Sequence, residues 1–264
     1  MIARLVDDLG PAAPGSPGVR HPLVYLPGID GTGLLLLGLG ERLRQRFRLL
    51  RLRYETAGPR PAGGDRYEDL ARSVDAVLEA RAAGRVLLLT ESFGGAVALA
   101  LALEFPERVA GLAIVNGFAR FHGKGRLVLA RCLAPLLPDP LFQIGRSVLA
   151  PMGLFGARRD ERALADFRAL RGARFDAAYR RRLAMIRRVD LLPRLGEVRS
   201  PVFLYASDRD RVVDAVPAAR EMLAALPDGR LTILERAGHL VLPLREEPWL
   251  ERLVELEAAA RRSG

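Results

Sequence analysis

Ser92 is the first residue whose surroundings suggest chemistry. It lies in the segment LLLTESFGGAVALALA (residues 87–102), which has the order of a buried strand, a tight turn and a helix rich in small residues. A serine on such a turn can act as a nucleophile when its hydroxyl is exposed and a base takes its proton. The usual turn pattern is G-x-S-x-G, and Thr90 stands here in place of the first glycine. On its own, the segment is equally consistent with a serine that caps the helix N-terminus.

A nucleophilic serine needs a base, and the sequence contains three histidines. His239 follows the last predicted strand, in the segment ERAGHLVLP. This places it at the carboxyl edge of a parallel sheet, where ligands of such sheets bind. His21 precedes the first predicted strand and belongs at the opposite edge. His122 opens a predicted insertion, where a substrate contact or a plain surface role is expected. We therefore predict that His239 is the base.

The base needs a carboxylate to orient it, and the segment YASDRDRVV follows a predicted strand between Ser92 and His239. The chain order serine, aspartate, histidine is that of one known type of catalytic triad. Asp210 is the predicted acid. Asp208 is expected to shape the turn and Asp214 to cap the next helix.

Acyl transfer also needs two backbone N–H groups that face the developing oxyanion. The residue after the nucleophile, Phe93, should supply one. The segment LPGIDGTG after an early strand should supply the other from Ile29, since its glycines let the backbone approach a ligand closely. Gly28 and Asp30 are predicted to contact substrate, and Asp30 also to pin the loop by accepting backbone N–H bonds. The segment lacks the G-x-x-x-x-G-K-[ST] pattern of a phosphate-binding loop.

The elements that must position these residues alternate between strand and helix. This alternation predicts an α/β fold with a mostly parallel, doubly wound sheet. Strands are predicted at 23–26, 48–54, 86–90, 109–116, 201–207 and 230–235, and helices at 33–46, 67–80, from 93 to before 106, at 214–226 and around Trp249.

Residues 117–195 interrupt the alternation and are too long for a simple connection. They are predicted to form a helical cap insertion in a core domain made of residues 1–116 and 196–264. Most apolar side chains of the cap should pack on the core, while some line a pocket for a long acyl chain. The predicted substrate contacts, with one beside the base, are Phe118, Leu136, Phe142, Met152, Phe155 and Leu240.

Composition limits the partners. The chain has 41 basic and 31 acidic residues and a net charge of +10, but the arginines are scattered and no nucleic-acid motif accompanies them. A solvated basic surface is the main interpretation, and a weak contact of the basic cap with a membrane surface is the alternative.

A single cysteine excludes a disulfide framework and a cysteine-based metal cluster, and no cofactor or metal is expected. No apolar run reaches the ~18 residues of a membrane span and no signal segment is recognised, so a cytoplasmic location is expected, with the oligomeric state open.

The strings YLPGIDGTG, ESFGGAVALALA and YASDRDRVV resemble the α/β-hydrolase superfamily. The resemblance runs from about Leu23 to the final helix, with residues 117–195 in place of the variable cap. Within the superfamily, the strings are similar to an esterase, lipase and acyltransferase group that includes the hydrolase-like half of plant phytyl ester synthases. The resemblance implies chemistry on acyl esters or thioesters, with Ser92 as nucleophile, Asp210 as acid and His239 as base.

Thr90 departs from the pattern of that superfamily. The chain also has no acyltransferase-like second half, so hydrolysis is expected rather than ester synthesis. The alternatives are acyl transfer to an alcohol, another reaction on the same fold such as haloperoxidase-like or carbon–carbon bond hydrolysis, and a non-catalytic binding protein on the same scaffold.

Overall fold

A seven-stranded sheet runs through the protein in the computed structural model, which describes residues 1–10, 20–59, 61–123, 154–158, 160–169 and 176–263. The strand order is β1-β3-β2-β4-β5-β6-β7, and only β1 is antiparallel to its neighbour. The predicted fold class is confirmed. The strands are β1 (Ile2–Leu9), β2 (Leu23–Leu26), β3 (Leu49–Glu55), β4 (Val86–Glu91), β5 (Val109–Val115), β6 (Val202–Ser207) and β7 (Gly229–Leu234).

Helices cover both faces of the sheet and divide the core into two layers. The described helices are α1 (Gly38–Leu43), α2 (Tyr67–Ala80), α3 (Phe93–Glu104), α4 (Glu161–Ala169), α5 (Ala177–Ile186), α6 (Ala215–Ala225) and α7 (Trp249–Ser263), with a 3-10 helix at Leu192–Glu197. Side chains of β4 alternate between the layers: Leu88 packs with α2, α3 and α6, whereas Leu87 and Leu89 pack with α1, α4 and α7. A strand that is covered on both sides favours apolar residues on both faces, which explains the run of leucines in β4 before Thr90 and Glu91.

Two elements differ from the sequence prediction. Strand β1 was not predicted, and it adds an antiparallel edge to the sheet through β3. Its two aspartates are held by arginines of the neighbouring segment: Asp7 pairs with Arg51, and Asp8 with Arg48 at 2.7 Å. The helix predicted at 33–46 is also shorter, because Leu37 adopts a positive φ of 48° and the helical turns begin only after it.

The described part of the predicted cap combines helices and irregular chain. Residues 117–123 are not helical, and Arg120 forms an isolated bridge with Asp190. Helices α4 and α5 lie within the predicted cap, whereas residues 124–153 fall outside the described part of the chain. The domain boundaries stay a prediction. Among the described residues, no helix has the length and apolar character that a membrane crossing requires.

One buried ion pair fastens α5 to the core domain. The Arg181 guanidinium donates to both carboxylate oxygens of Asp65, at 2.5 and 2.7 Å, and the Asp65 side chain is 2 % exposed. Burial alone would raise the pKa of Asp65, but the hydrogen bonds from Arg181 and from the Met1 amine outweigh it and lower this pKa to about 2. The ionised carboxylate is therefore a stabilising feature of the fold.

The Asp65→Asn variant should lose about 1–2 kcal/mol of unfolding free energy at pH 7. Because the pKa of Asp65 is lower in the folded chain than in the unfolded chain, this stabilisation is complete above about pH 4 and fades as the pH falls towards 2. Urea unfolding of both proteins should thus show a smaller difference at pH 3 than at pH 7. Asp69→Asn, which removes an exposed pair with Arg72, is the control and should change stability by less than about 0.5 kcal/mol. A difference that does not vary with pH would contradict the electrostatic origin.

Candidate active site

Ser92 occupies the tight turn between β4 and α3. Its backbone has φ 52° and ψ −118°, a conformation that residues other than glycine rarely adopt. Two hydrogen bonds hold it there: the Ser92 N–H donates to the Val115 carbonyl at 2.9 Å, and the Ser92 carbonyl accepts from the Gly95 N–H at 2.9 Å. The turn lies at the carboxyl end of a central parallel strand, as predicted.

Two glycines after Ser92 make room for this turn. A Cβ on Gly94 would meet the carbonyl oxygens of Leu26 and Pro27, the latter at 2.7 Å, and one on Gly95 would lie 2.8 Å from Ile114 Cγ2. Helix α3 can therefore start directly against β2 and β5. Thr90 lies within β4, fully buried, with its hydroxyl 3.4 Å from the Ala113 carbonyl that accepts its hydrogen bond. A threonine at position 90 is thus compatible with the turn, since the close approach is made at positions 94 and 95.

His239 and Asp210 form a buried hydrogen-bonded pair at the same edge of the sheet. His239 Nδ1 lies 2.7 Å from Asp210 Oδ2, and Asp210 Oδ1 accepts from the N–H groups of Val212 and Val213 at 2.7 and 3.3 Å. Burial lowers the pKa of His239, but the charge and hydrogen bond of Asp210 outweigh it and raise this pKa above its ordinary value. With Nδ1 donating to the carboxylate, Nε2 of the neutral ring is the atom that can accept a proton.

The other two aspartates of this loop do not contact the histidine. Asp208 is exposed. Asp214 precedes α6 in a left-handed conformation, and its side chain makes no capping hydrogen bond. Asp214 therefore occupies the predicted N-cap position but lacks the side-chain hydrogen bond of a cap.

The remaining histidines lie elsewhere, in agreement with their predicted locations. His21 Nδ1 is 2.8 Å from Glu257 on α7, just before β2 begins and thus at the opposite edge of the sheet. His122 Nε2 is 2.8 Å from Glu221 at the surface. Both are therefore in polar contacts away from Asp210.

Asn116 joins the loops of this edge, and sequence reasoning missed it. Its amide nitrogen donates to the carbonyls of His239 and Gly238, at 2.8 and 3.2 Å, and to Ser207 Oγ at 3.0 Å. Its amide oxygen accepts from the Ser207 N–H at 2.8 Å. Because Asn116 directly follows the residue whose carbonyl holds Ser92, it links the serine turn to the histidine loop. The feature of the sequence that could have indicated this role is a polar residue, Asn116, at the end of the apolar segment VAGLAIV.

Residues 154–156, which belong to the predicted insertion, pack against the histidine loop. Leu240 N–H donates to the Leu154 carbonyl at 2.8 Å, and Gly156 forms an antiparallel bridge with Ala237. Gly238 lies so close to this segment that a Cβ would be 2.7 Å from the Phe155 carbonyl carbon. Residues 154–156 thus support the backbone that carries His239.

The predicted oxyanion loop passes beside Ser92. A Cβ on Gly28 would be 3.7 Å from Ser92 Cβ, and the Gly28 carbonyl accepts from the Gly31 N–H at 3.1 Å to close a tight turn. The Ile29 N–H takes part in no backbone hydrogen bond among the described residues. Phe93 is the first residue of α3, so its N–H has no acceptor within the helix. Neither predicted donor is thus engaged by a backbone acceptor among the described residues, and their role as an oxyanion hole stays a prediction.

Asp30 pins this turn as predicted. Its Oδ2 accepts from the Thr32 N–H at 2.9 Å and from the Thr32 hydroxyl. Burial, the dominant cause, raises the pKa of Asp30 despite these bonds. Its other oxygen, Oδ1, is buried without a hydrogen-bond partner.

The predicted substrate contacts have packing partners or lie outside the described residues. Phe118 packs edge-to-face on Phe121, with ring centroids 5.2 Å apart, and Phe155 packs in the same way on Phe167 at 5.8 Å. Leu240 belongs to the same core layer as Phe155. These contacts account for the burial of the three side chains, and their contact with substrate stays a prediction. The other three predicted contacts lie outside the described residues: Leu136, Phe142 and Met152.

Glu91 is a second residue that sequence reasoning missed. Glu91 directly precedes Ser92 in the chain. Its Oε1 accepts a hydrogen bond from the Tyr25 hydroxyl at 2.5 Å, and its Oε2 is buried without a hydrogen-bond partner. Burial, supported by the nearby charge of Asp30, raises the pKa of Glu91 to about 7. A glutamate inside an otherwise apolar strand was its sequence signal.

Comparison with known proteins agrees with this geometry. Residues 23–253 match the alpha/beta hydrolase family, which is most of the chain. The chain belongs to the alpha/beta hydrolase family. Its relatives include "Putative carbamate hydrolase RutD" of Variovorax paradoxus, 29% identical over 213 residues that cover 76% of this chain and 77% of the relative.

Solved structures of similar fold extend over nearly the whole alpha/beta hydrolase chain. "Putative non-heme bromoperoxidase BpoC" from Mycobacterium tuberculosis has a TM-score of 0.80 at 20% identity, covering 98% of this chain and 97% of that one. An enol-lactonase from Burkholderia xenovorans has a TM-score of 0.78 at 20% identity, covering 97% and 95%. At these identities the likeness concerns the fold.

Thr90→Gly should restore the usual hydrolase turn pattern but bring no gain in turnover, because the turn already has its room from Gly94 and Gly95. It should lower the unfolding free energy by about 1–3 kcal/mol through the lost buried side chain and a glycine within a strand. Gly94→Ala should be more damaging, since its methyl group meets fixed backbone oxygens. Urea unfolding and steady-state ester hydrolysis check both variants. A faster Thr90→Gly enzyme would show that position 90 does restrict the turn.

Proposed function

We propose that this hydrolase-family protein cleaves carboxylic esters through an acyl-enzyme on Ser92. The observation that carries the proposal is the buried Asp210–His239 pair, which shares one sheet edge with a serine held in a strained strand-to-helix turn. The edge is shared because β4, β6 and β7 are parallel. Ser92 directly follows β4, while Asp210 and His239 lie in the loops that follow β6 and β7. A strained backbone conformation such as that of Ser92 persists only where the surrounding structure enforces it.

The proposed reaction has two halves, acylation and deacylation, and the same catalytic groups act in both. Ser92 Oγ attacks the ester carbonyl carbon while His239 Nε2 takes the hydroxyl proton, and the carbonyl oxygen becomes an oxyanion bound by the N–H groups of Ile29 and Phe93. The carbon–oxygen bond to the alcohol breaks as His239 returns the proton to the leaving oxygen. Water then attacks the carbonyl carbon of the acyl-enzyme and gives a proton to His239. The bond from this carbon to Ser92 Oγ breaks as His239 returns the proton to Oγ, which releases the carboxylic acid and restores Ser92. Asp210 keeps the Nδ1–H tautomer and stabilises the imidazolium.

Two observations bear on the class of ester. One relative is named a putative carbamate hydrolase and one structure of similar fold is an enol-lactonase, which makes carbamates and lactones candidate substrates. The apolar residues of the predicted cap favour a lipophilic acyl group instead. Acyl transfer to an alcohol would need the same acyl-enzyme with water excluded. Ester hydrolysis is the common first test of these possibilities.

Ser92→Ala should reduce the turnover of p-nitrophenyl esters by at least about 10⁴-fold, because the acyl-enzyme cannot form. A series from acetate to palmitate, a lactone and an aryl carbamate measured with the wild type should identify the preferred acyl group. A fluorophosphonate probe should label the wild type and not the variant. Retention of wild-type turnover by Ser92→Ala would contradict the mechanism, and a wild type that neither turns over nor labels would favour a binding protein.

Asp210→Asn should reduce kcat by about 10³–10⁴-fold and shift the acid limb of the pH profile. The charge of Asp210 raises the pKa of His239, and the base works only when neutral. Without this charge burial dominates, the pKa of His239 falls, and the remaining activity should persist to lower pH than in the wild type. The exposed Asp208 is the control: Asp208→Asn should leave both kcat and the pH profile unchanged. An unshifted acid limb in Asp210→Asn would contradict the assignment.

A further inference from the structure

One buried arginine of the predicted insertion binds the backbone of residues 28–31, which we call the oxyanion turn. Arg182 lies on α5, is 3 % exposed, and donates from Nε to the Ile29 carbonyl at 2.7 Å and from Nη2 to the Asp30 carbonyl at 3.1 Å. Nη1 donates over a longer 3.4 Å to the carbonyl of Tyr54 on β3. A planar guanidinium can reach several carbonyls at once with fixed geometry. The three acceptors therefore share one rigid donor.

These bonds complete the fixation of the turn that carries the proposed oxyanion donor. The Gly28 carbonyl is held by the Gly31 N–H, and it belongs to the same trans peptide group as the Ile29 N–H. The next two peptide groups are held by Arg182 through the Ile29 and Asp30 carbonyls. The Gly31 carbonyl in turn accepts from the Tyr54 N–H at 2.8 Å. Every carbonyl from Gly28 to Gly31 is thus engaged.

Position 31 is shaped for this guanidinium. Gly31 has a φ of 68°, and a Cβ there would be only 2.7 Å from Arg182 Cζ and 2.9 Å from Nη1. The glycine therefore serves both the left-handed turn and the close approach of the arginine. Within the described residues Arg182 forms no salt bridge, so its buried charge is balanced by carbonyl dipoles and by the nearby Asp30 carboxyl.

We propose that Arg182 is a positioning residue that holds the Ile29 N–H in place for the oxyanion, so that the insertion completes the catalytic site. The proposal rests on the proposed function, since it assigns Arg182 a role in the same acyl transfer. Preorganised donors stabilise a transition state because they need no rearrangement as charge develops. Loss of Arg182 should therefore slow the chemical steps while leaving ground-state binding nearly unchanged.

The neighbouring arginine supplies a matched control. Arg181 sits on the same helix and also joins the insertion to the core, but it binds Asp65 and the Gly58 carbonyl instead of the turn. Arg182→Met should lower kcat for the best p-nitrophenyl ester by about 10–100-fold with KM changed by less than about threefold, because it loosens an oxyanion donor without removing it. Arg181→Met should keep kcat within about threefold, although it also weakens the docking of α5.

Chemical rescue separates positioning from a general structural role. Guanidinium ion, at concentrations well below those that unfold the protein, should restore part of the kcat of Arg182→Ala and should not accelerate the wild type or Arg181→Ala. Circular dichroism and thermal unfolding establish that each variant is folded. If the truncated variants do not fold, Arg182→Lys provides the test: a lysine reaches fewer carbonyls, so kcat should fall with little change in KM.

Several results would overturn the proposal. Each applies when the wild type hydrolyses esters and labels with fluorophosphonate. The first is an unchanged kcat in Arg182→Met or in Arg182→Lys. The others are a loss of kcat in Arg181→Met equal to that in Arg182→Met, and the absence of guanidinium rescue. Those outcomes leave the serine mechanism intact. A wild type that neither hydrolyses esters nor labels would instead overturn the proposed function, and with it the role assigned to Arg182.

Discussion

The close approach of α3 to the sheet is the constraint on which the site depends. Ser92 can hold a positive φ only because its N–H is fixed by the Val115 carbonyl and its own carbonyl by the Gly95 N–H. Those bonds require the first turn of α3 to lie against β2 and β5, where the backbone oxygens of Leu26 and Pro27 exclude a side chain at position 94. The same approach brings the helix N-terminus, with its free N–H groups and positive dipole, to the carbonyl that would be attacked. The strain at one residue is thus balanced by packing over the surrounding strands.

The rest of the edge is built by loops that support one another. The side chain of Asn116 binds the histidine loop and the end of β6, while residues 154–156 form backbone contacts with residues 237–240. Arg182 binds the carbonyls of Ile29 and Asp30 in the proposed oxyanion turn. Long loops are ordinarily the mobile parts of an α/β fold, but here their buried polar groups bind other loops. Preorganisation of the site therefore resides in hydrogen bonds between segments that are distant in the chain.

This division explains what the sequence could predict. Local patterns were sufficient for the parallel strands and for α2, α3, α6 and α7, since continuous apolar runs and helical periodicity are properties of short segments. Chain order was sufficient to select Ser92, Asp210 and His239 as candidates, of which the last two are in contact. Strand β1 was missed because its aspartates are stabilised by arginines of β3 and its flank, a pairing that no local pattern reveals. Asn116 and Arg182 were missed for the same reason, because their partners lie up to 123 and 153 residues away.

The buried charges at this edge also cannot be treated one at a time. Glu91 raises the pKa of His239, and His239 lowers that of Glu91, whose value of about 7 results mainly from burial. Because the two groups interact, the observed titration steps belong to the pair rather than to either residue. An ionised Glu91 beside the nucleophile would oppose a developing oxyanion, whereas a protonated Glu91 would not. Activity should therefore depend on two opposed ionisations, with a neutral His239 favouring proton transfer and a neutral Glu91 favouring the charge that this transfer creates.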